Sequence, residues 1–151
     1  MKTSFKAFLT VVLIYLTTVP SFSLDGKAWK YSSMEDSINY NRKLSFYKEF
    51  YKIKLYKHAI DPWWELFNTY PASSEKLYVD GVSMYRSFIE DAPDGPEKQG
   101  YLDTMMLIYD QRMEYFGGEG NVLGRKGRDL LAYGKGDIEQ VQKAYAKRKG
   151  A

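Results

Sequence analysis

The sequence predicts an all-α protein made of stacked antiparallel helical hairpins, about three in number. Apolar residues recur at steps of three and four along successive segments, which is the period of one helix face. Glycine, proline and serine punctuate the chain between those segments. No stretch alternates with period two over enough residues to indicate a strand. With 151 residues, of which 44% are hydrophobic, the chain has the size for one domain with a packed core.

The first hairpin is predicted to begin with a helix over residues 37–53. One face of that helix carries four residues at steps of four, three and four: Tyr40, Leu44, Tyr47 and Tyr51. A second stripe beside it, of Phe46, Phe50 and Ile53, predicts that the helix is covered on more than one side.

The second helix of this hairpin is predicted over residues 56–70. Pro62 lacks a backbone donor, so we expect a distorted first turn or a bend there. Pro71 restricts the backbone of Tyr70, and this restriction predicts the end of the helix.

A second hairpin follows. Ser73 or Ser74 is placed to cap its first helix, whose inner face holds Tyr78, Val82, Tyr85 and Ile89. Pro96 suits the first position of the next helix, after a turn at Asp94 and Gly95. That helix is expected to reach about Phe116, with these residues inward: Leu102, Met105, Met106, Tyr109, Met113 and Phe116.

A third hairpin is predicted from helices over residues 122–133 and 138–149. The glycine-rich stretch before it is interpreted as a joint, in which Gly117, Gly118 and Gly120 end the preceding helix. Gly124 and Gly127 are expected to let the next helix approach its neighbours closely.

A phosphate-binding loop is disfavoured in that stretch. Gly124 is followed by Arg125, no serine or threonine comes next, and no strand precedes it. The dinucleotide-binding pattern fails as well, because Leu123 stands where its third glycine belongs.

The N-terminal residues 1–23 have the pattern of a secretory signal peptide. Lys2 and Lys6 precede and border a short apolar run, and Pro20, Ser21 and Ser23 follow it. The run falls short of the roughly 20 apolar residues that cross a membrane. Residues 24–36 are expected to be a loosely ordered lead-in, and residues 37–151 the helical domain.

Charge and cysteine content exclude several classes of function. Removal of Lys2 and Lys6 from 22 basic residues leaves 20 against 19 acidic ones, so nucleic-acid binding by bulk charge is disfavoured. The chain has no cysteine, which excludes disulfides, thiol catalysis and lipid attachment at a cysteine. Stability then has to come from packing.

Four residues of the second predicted helix carry a repeat pattern. Tyr56, Ala59, Trp63 and Pro71 stand at the spacing that a tetratricopeptide unit uses in its second helix. In that pattern Ala59 lets two helices approach, Trp63 fills the groove beyond it, and Pro71 forces the turn.

Longer segments resemble a group of exported bacterial tetratricopeptide-like proteins over about residues 41–145. The segments are "FYKEFYK", "YVDGVSMYRSFIE", "LIYDQRMEYFG" and "VLGRKGRDLL". Some members of that group are longer, and some carry cysteines near the positions of Tyr40 and Tyr70, where this chain has none. The resemblance implies a helical-repeat domain of the cell envelope, in the periplasm or associated with the outer membrane.

No catalytic, cofactor or metal site is predicted. His58 is the only histidine, and with Asp61 and Glu65 it is interpreted as a solvated helix face, because no second histidine or cysteine completes a zinc site. No serine has a base beside it other than His58, so a hydrolase triad is disfavoured.

The acidic residues around Gly95 faintly resemble a calcium loop. Their spacing departs from the alternating ligands of a helix-loop-helix site, and a tight turn with a helix cap explains each of them: Asp91, Asp94 and Glu97.

The predicted function is that of a non-catalytic scaffold or adaptor, which binds a protein partner on the concave surface of the repeats. The repeat geometry places five residues on that surface: Asn41, Lys48 and Tyr51 from the first unit, and Tyr78 and Tyr85 from the second. The alternative is a glycan or cell-wall binding module that uses exposed tyrosines and Trp64. Trp63 and Trp64 point about 100° apart on a helix, so Trp63 is predicted to be core.

Overall fold

A computed structural model of the chain describes residues 31–134. Five helices and no strand lie in this range: α1 (Met34–Lys52), α2 (Tyr56–Thr69), α3 (Glu75–Asp91), α4 (Pro96–Phe116) and α5 (Glu119–Tyr133). The prediction of an all-α fold of helical hairpins is therefore confirmed. The predicted signal peptide, most of the predicted lead-in and the predicted helix at 138–149 lie outside the described residues.

Helices α1 and α2 form an antiparallel hairpin. Contacts between them run in opposite chain directions, because Tyr40 packs on Tyr70 with ring centroids 5.1 Å apart, while Phe50 packs on His58 at 5.5 Å. Helix α1 begins at Met34, three residues before the predicted start. Its N-terminus is capped by Ser33, whose hydroxyl accepts the Asp36 N–H.

The joint after α1 closes with two backbone hydrogen bonds. The Lys54 N–H donates to Tyr51 O at 3.0 Å, and the Leu55 N–H donates to Phe50 O at 2.9 Å. These are the two bonds of a Schellman motif, which requires a left-handed residue after the helix. Lys54 occupies that position with φ 60°, where glycine is the usual residue.

Helix α2 contains Pro62 and remains one continuous helix from Tyr56 to Thr69. The predicted distortion at Pro62 therefore does not interrupt the helix, and Pro62 lies in its second turn. Tyr70 leaves the helical conformation directly before Pro71, which confirms the predicted end.

Helices α3 and α4 form the second hairpin. Ser74 caps α3, since its hydroxyl accepts the Lys76 N–H at 3.2 Å, and Pro96 is the first residue of α4, as predicted. Tyr78 packs on Phe116 near one end of the pair, and Tyr85 packs on Tyr101 near the other. Met105, Ile108 and Tyr109 of α4 are fully buried, together with the predicted face of α3.

The two hairpins meet where Trp63 of α2 lies against Gly81 of α3. Trp63 is completely buried, and its Nε1–H donates to Leu77 O at 2.8 Å. A Cβ atom on Gly81 would lie 2.2 Å from Trp63 Cζ2, so only glycine fits there. Ala59 is also fully buried, as the repeat pattern predicts for a residue at a close helix approach.

Helix α5 packs against the second hairpin. Gly117 and Gly118 take positive φ angles of 67° and 71° at the joint, and α5 starts at Glu119, so Gly120 belongs to α5 and does not end α4. Gly127 is buried. Gly124 faces open space, so the expectation of a close contact there is wrong.

One side of α1 is left open by the elements that the structure describes. Phe46 and Ile53 are 49% and 61% exposed, and Phe50 is half-buried. The expectation that this second stripe is covered is therefore wrong among residues 31–134. Within residues 31–134, none of the helices combines the length and the hydrophobicity that a membrane span requires.

Candidate functional site

The odd-numbered helices α1, α3 and α5 lie side by side. Tyr47 of α1 contacts Asp80 of α3, and Arg86 of α3 contacts Asp129 of α5. A second contact between α3 and α5, from the Tyr133 hydroxyl to Glu90 Oε1 at 2.7 Å, lies one turn further along both helices. These two helices therefore run parallel.

The contact between α1 and α3 is built around the buried carboxylate of Asp80. The Tyr47 hydroxyl donates to its Oδ2 at 3.2 Å, and Lys76 Nζ donates to its Oδ1 at 2.7 Å. Burial, followed by the charge of Asp80 and its hydrogen bond, raises the pKa of Tyr47 well above the ordinary value of 10. Lys76 Nζ also lies 5.7 Å from the centre of the Tyr51 ring.

The contact between α3 and α5 is built around the buried carboxylate of Asp129. Its Oδ2 accepts from the Tyr109 hydroxyl at 2.6 Å and from Arg86 Nε and Nη2 at 3.1 and 2.7 Å. Burial acts to lower the pKa of Arg86, but the hydrogen bond to Asp129 and the nearby charges outweigh it, so the pKa is raised. These hydrogen bonds connect α3, α4 and α5.

Three stripes of exposed and half-exposed residues run along these helices, and we call them together the α1–α3–α5 face. In each stripe the residues are three or four positions apart, so they share one side of their helix. The stripes are Asn41, Leu44, Lys48 and Tyr51 on α1; Lys76, Val79, Ser83, Arg86 and Glu90 on α3; and Asn121, Arg125, Arg128 and Ala132 on α5.

The predicted contact residues of the first unit lie on the α1–α3–α5 face. Asn41 and Lys48 are exposed, and the Asn41 side-chain amide donates to Ser37 O at 2.8 Å. Tyr51 is half-buried and packs on Tyr56 with ring centroids 5.4 Å apart. Whether a partner binds them stays a prediction.

The expectation that Tyr78 and Tyr85 face an open surface is wrong for their side chains. Tyr78 is fully buried against Phe67 and Phe116, and the Tyr85 hydroxyl accepts from Trp64 Nε1 at 2.8 Å. Both belong to the side of α3 that packs on the neighbouring helices.

The residue after each of these tyrosines lies on the α1–α3–α5 face instead. Val79 is 43% exposed, and Arg86 is half-exposed. Neighbouring residues on a helix point about 100° apart, so an offset of one position separates the core from the surface.

Sequence reasoning missed the buried acids Asp80 and Asp129 and the α3 stripe. The signal for the stripe is present in the sequence, because Lys76, Val79, Ser83 and Arg86 repeat the step of three and four on the side away from the apolar face. The signal for Asp80 is its place on the apolar side of α3, three residues after Leu77 and four before Met84.

The helix face that carries His58, Asp61 and Glu65 does not bring these side chains together in one site. His58 and Asp61 are exposed, and Glu65 pairs with Lys43 at 2.5 Å. Asp94 pairs with Lys98 at 3.2 Å across the first turn of α4. Among residues 31–134, no group of three or more His, Asp and Glu side chains is placed to hold a metal ion.

Most of the aromatic side chains pack inside the fold. Every tyrosine from Tyr31 to Tyr133 is buried or half-buried. Trp64 is half-buried, and its ring meets the rings of Trp63 and Phe67 edge to face. Among residues 31–134, Phe46 of α1, which is 49% exposed, is the aromatic side chain that lies open to solvent.

The clefts beside the helix ends are small. One cleft, with a volume of about 320 Å³, lies between the start of α4 and the end of α5, where Lys98, Leu102 and Tyr133 line it. Two others, of about 240 and 200 Å³, share Lys57, Phe88 and Asp91. These volumes lie at or below the lower end of the range for small-molecule pockets.

Comparisons of this chain with protein-family profiles, with curated proteins and with solved structures found no match.

Proposed function

We propose that this protein is an exported, non-catalytic scaffold or adaptor of the bacterial cell envelope, which binds a protein partner on the α1–α3–α5 face. The supporting observation is that three adjacent helices present aligned stripes of exposed side chains, while buried carboxylates fix the spacing of those helices. A preformed surface of this kind binds a partner without first ordering a loop. The entropic cost of association is therefore lower.

The tetratricopeptide-like arrangement is part of this proposal. This is supported by the approach of Trp63 on α2 to Gly81 on α3 and by the burial of Ala59, and α1, α3 and α5 would line the concave side of such a repeat. Export is proposed from residues 1–23, whose composition is that of a secretory signal peptide.

Site-directed photo-crosslinking in cells that produce the protein tests this function. A photo-reactive amino acid at Asn41 or Val79 is expected to crosslink one and the same envelope protein, identified by mass spectrometry. Position Asp103 on α4, which is exposed away from this face, is the matched control. Crosslinks that are equally abundant from Asp103, or absent from Asn41 and Val79, would refute the proposed function.

A further inference from the structure

Positive charge is concentrated on the α1–α3–α5 face. Five of its side chains are cationic and one, that of Glu90, is acidic; the cations are Lys48, Lys76, Arg86, Arg125 and Arg128. The opposite helices α2 and α4 carry mainly acidic exposed charges, namely Asp61, Glu65, Glu97, Asp103 and Glu114, with Lys57 as their exposed lysine. The three stripes of this face are thus more basic than the exposed sides of α2 and α4.

The cations of this face differ in whether an acidic side chain of the protein already neutralises their charge. Lys76 and Arg86 pair with the buried acids Asp80 and Asp129 at 2.7 Å each. Lys48 and Arg125 form no ion pair with any residue in the range 31–134, and Arg128 is 4.0 Å from the nearest Asp129 oxygen. The uncompensated charge therefore lies on the two outer stripes, on α1 and α5.

The middle stripe offers an apolar contact between those charges. Val79 is 43% exposed at the centre of the face, between Lys76 and Ser83 on the same stripe. Closely packed helices are about 8–10 Å apart, and the helices of this face, which side chains bridge, are taken at the upper end of that range, so the outer stripes are separated by about 20 Å. An extended peptide advances about 3.3 Å per residue, so about six residues cross the face.

We propose that the α1–α3–α5 face binds an acidic, extended peptide segment of the partner protein, which runs from Lys48 over Val79 to Arg125. Carboxylates of the segment lie on the outer stripes, and an apolar side chain lies on Val79. This inference rests on the proposed function and adds the chemistry of the partner to it.

The arrangement favours a peptide over a nucleic acid. Nucleic-acid sites gain their affinity from many cations along the phosphate backbone, commonly six to ten contacts. Here only Lys48, Arg125 and Arg128 lack a close acidic partner, and Glu90 lies on the same face. A short acidic segment matches this number of charges.

Fluorescence anisotropy with a defined probe tests the inference. The probe is a labelled peptide of about twelve residues with Glu at every second position and Val or Gly between. Two matched probes are compared with it. One is the same peptide with Lys in place of Glu, and the other is an oligothymidylate of similar length. The acidic peptide is expected to bind at least tenfold more tightly than either matched probe, and its affinity is expected to fall with added salt.

Charge reversal locates the binding surface. The double variant Lys48→Glu with Arg125→Glu is expected to weaken binding of the acidic peptide at least tenfold, whereas Lys57→Glu on the opposite side is expected to change it less than twofold. All three side chains are exposed, and unchanged circular dichroism spectra verify that the variants fold.

Three results would overturn the inference: tighter binding of oligothymidylate than of the acidic peptide, equal loss of affinity in Lys57→Glu and in the double variant, or no binding of the acidic peptide. If the acidic peptide does not bind while Asn41 and Val79 still crosslink one protein, the acidic segment is refuted and the scaffold function stands. If the peptide binds through Lys48 and Arg125 but no protein is crosslinked, the scaffold function is refuted instead.

Discussion

At the scale of single residues, Trp63 and Gly81 define how closely α2 approaches α3. The indole ring occupies the space that a side chain at position 81 would need, and its hydrogen bond to Leu77 O holds it there. A buried ring with a fixed hydrogen bond has little freedom to move aside, so the two positions are coupled.

Gly81→Ala is expected to destabilise the protein by about 2 kcal/mol, because overpacking a well-filled core outweighs the better helix propensity of alanine. Gly124→Ala is the matched control, since a Cβ there meets nothing within 4 Å. It should be neutral or stabilise the protein by up to about 1 kcal/mol. Urea unfolding of both variants measures the difference, and equal free energies of unfolding would contradict the packing argument.

Lys54 is the second position where one residue decides local geometry. It adopts φ 60° in the joint between α1 and α2, a conformation that costs a residue with a Cβ about 1–2 kcal/mol. The two backbone hydrogen bonds of the joint keep it there despite that cost.

Lys54→Gly is expected to stabilise the protein by about 0.5 kcal/mol, since removal of the left-handed strain outweighs the larger backbone entropy of glycine in the unfolded chain. The same substitution at Lys52, inside the last turn of α1, should destabilise it by up to about 1 kcal/mol. Thermal unfolding distinguishes the two, and destabilisation by Lys54→Gly would contradict the assignment of a strained residue.

At the scale of elements, buried carboxylates attach the helices to one another. Asp129 accepts hydrogen bonds from α3 and α4 while belonging to α5, so its removal leaves the Tyr109 hydroxyl without its acceptor and leaves the Arg86 guanidinium only the Tyr109 oxygen, at 3.0 Å. Because Arg86 is about one-third exposed, water compensates part of that loss.

Asp129→Ala is expected to cost about 2 kcal/mol in the free energy of unfolding and to speed amide hydrogen exchange throughout α5. Glu65→Ala removes an ion pair whose glutamate is half-exposed, and it should cost less than about 1 kcal/mol. Exchange in α5 that matches the parent protein would show that Asp129 does not attach this helix.

The start of α1 is attached to the end of α2 through Asp36. Its carboxylate accepts from the Ser32 N–H at 2.8 Å and from the Tyr70 hydroxyl. The hydrogen bond from Tyr70, followed by that from Ser32, holds the pKa of Asp36 below the ordinary value of 3.8. A depressed pKa in the folded state means that the stabilisation is complete above the unfolded value and is lost as pH falls through the folded one.

Asp36→Ala should therefore reduce stability at neutral pH and have progressively less effect below pH 3.8. Denaturant unfolding of both proteins between pH 7 and pH 2 measures this. In a Tyr70→Phe background the difference should depend less steeply on pH, because the main donor to Asp36 is gone. A difference that stays constant down to pH 2 would contradict the role of the ionised carboxylate.

At the scale of the whole molecule, we expect the two hairpins to unfold together only while the interface between them is intact. Trp63 packs in that interface on Phe67 of its own helix and against Tyr85 of α3. Stacked helical units of this kind depend on nearest-neighbour contacts for cooperativity.

Trp63→Phe is expected to destabilise the protein by about 2–3 kcal/mol, through a cavity and the lost hydrogen bond to Leu77 O, and to broaden or split the unfolding transition. Trp64→Phe, at a half-buried position, should cost about 1 kcal/mol and keep a single transition. Circular dichroism during urea titration records both. A single, equally steep transition in Trp63→Phe would show that other contacts couple the hairpins.

The sequence by itself determined the helices and most of their ends. Pro71, Ser74 and Pro96 act through local backbone geometry, so their effect is readable from their position alone. The buried face of α3 was predictable for the same reason, since helical periodicity requires no knowledge of the neighbours.

Tertiary structure decided which side of each helix stays open and where charge is buried. Val79 and Arg86 face the surface while Tyr78 and Tyr85 do not, because the directions of α2 and α4 around α3 are set by packing over residues distant in the chain. Asp80 and Asp129 lie in the interior because other side chains pair with them: Lys76 reaches Asp80 from its own helix, and Tyr47 and Arg86 reach the two acids from other helices. Such partners are brought together by the stacking of hairpins, and periodicity along one helix carries no information about them.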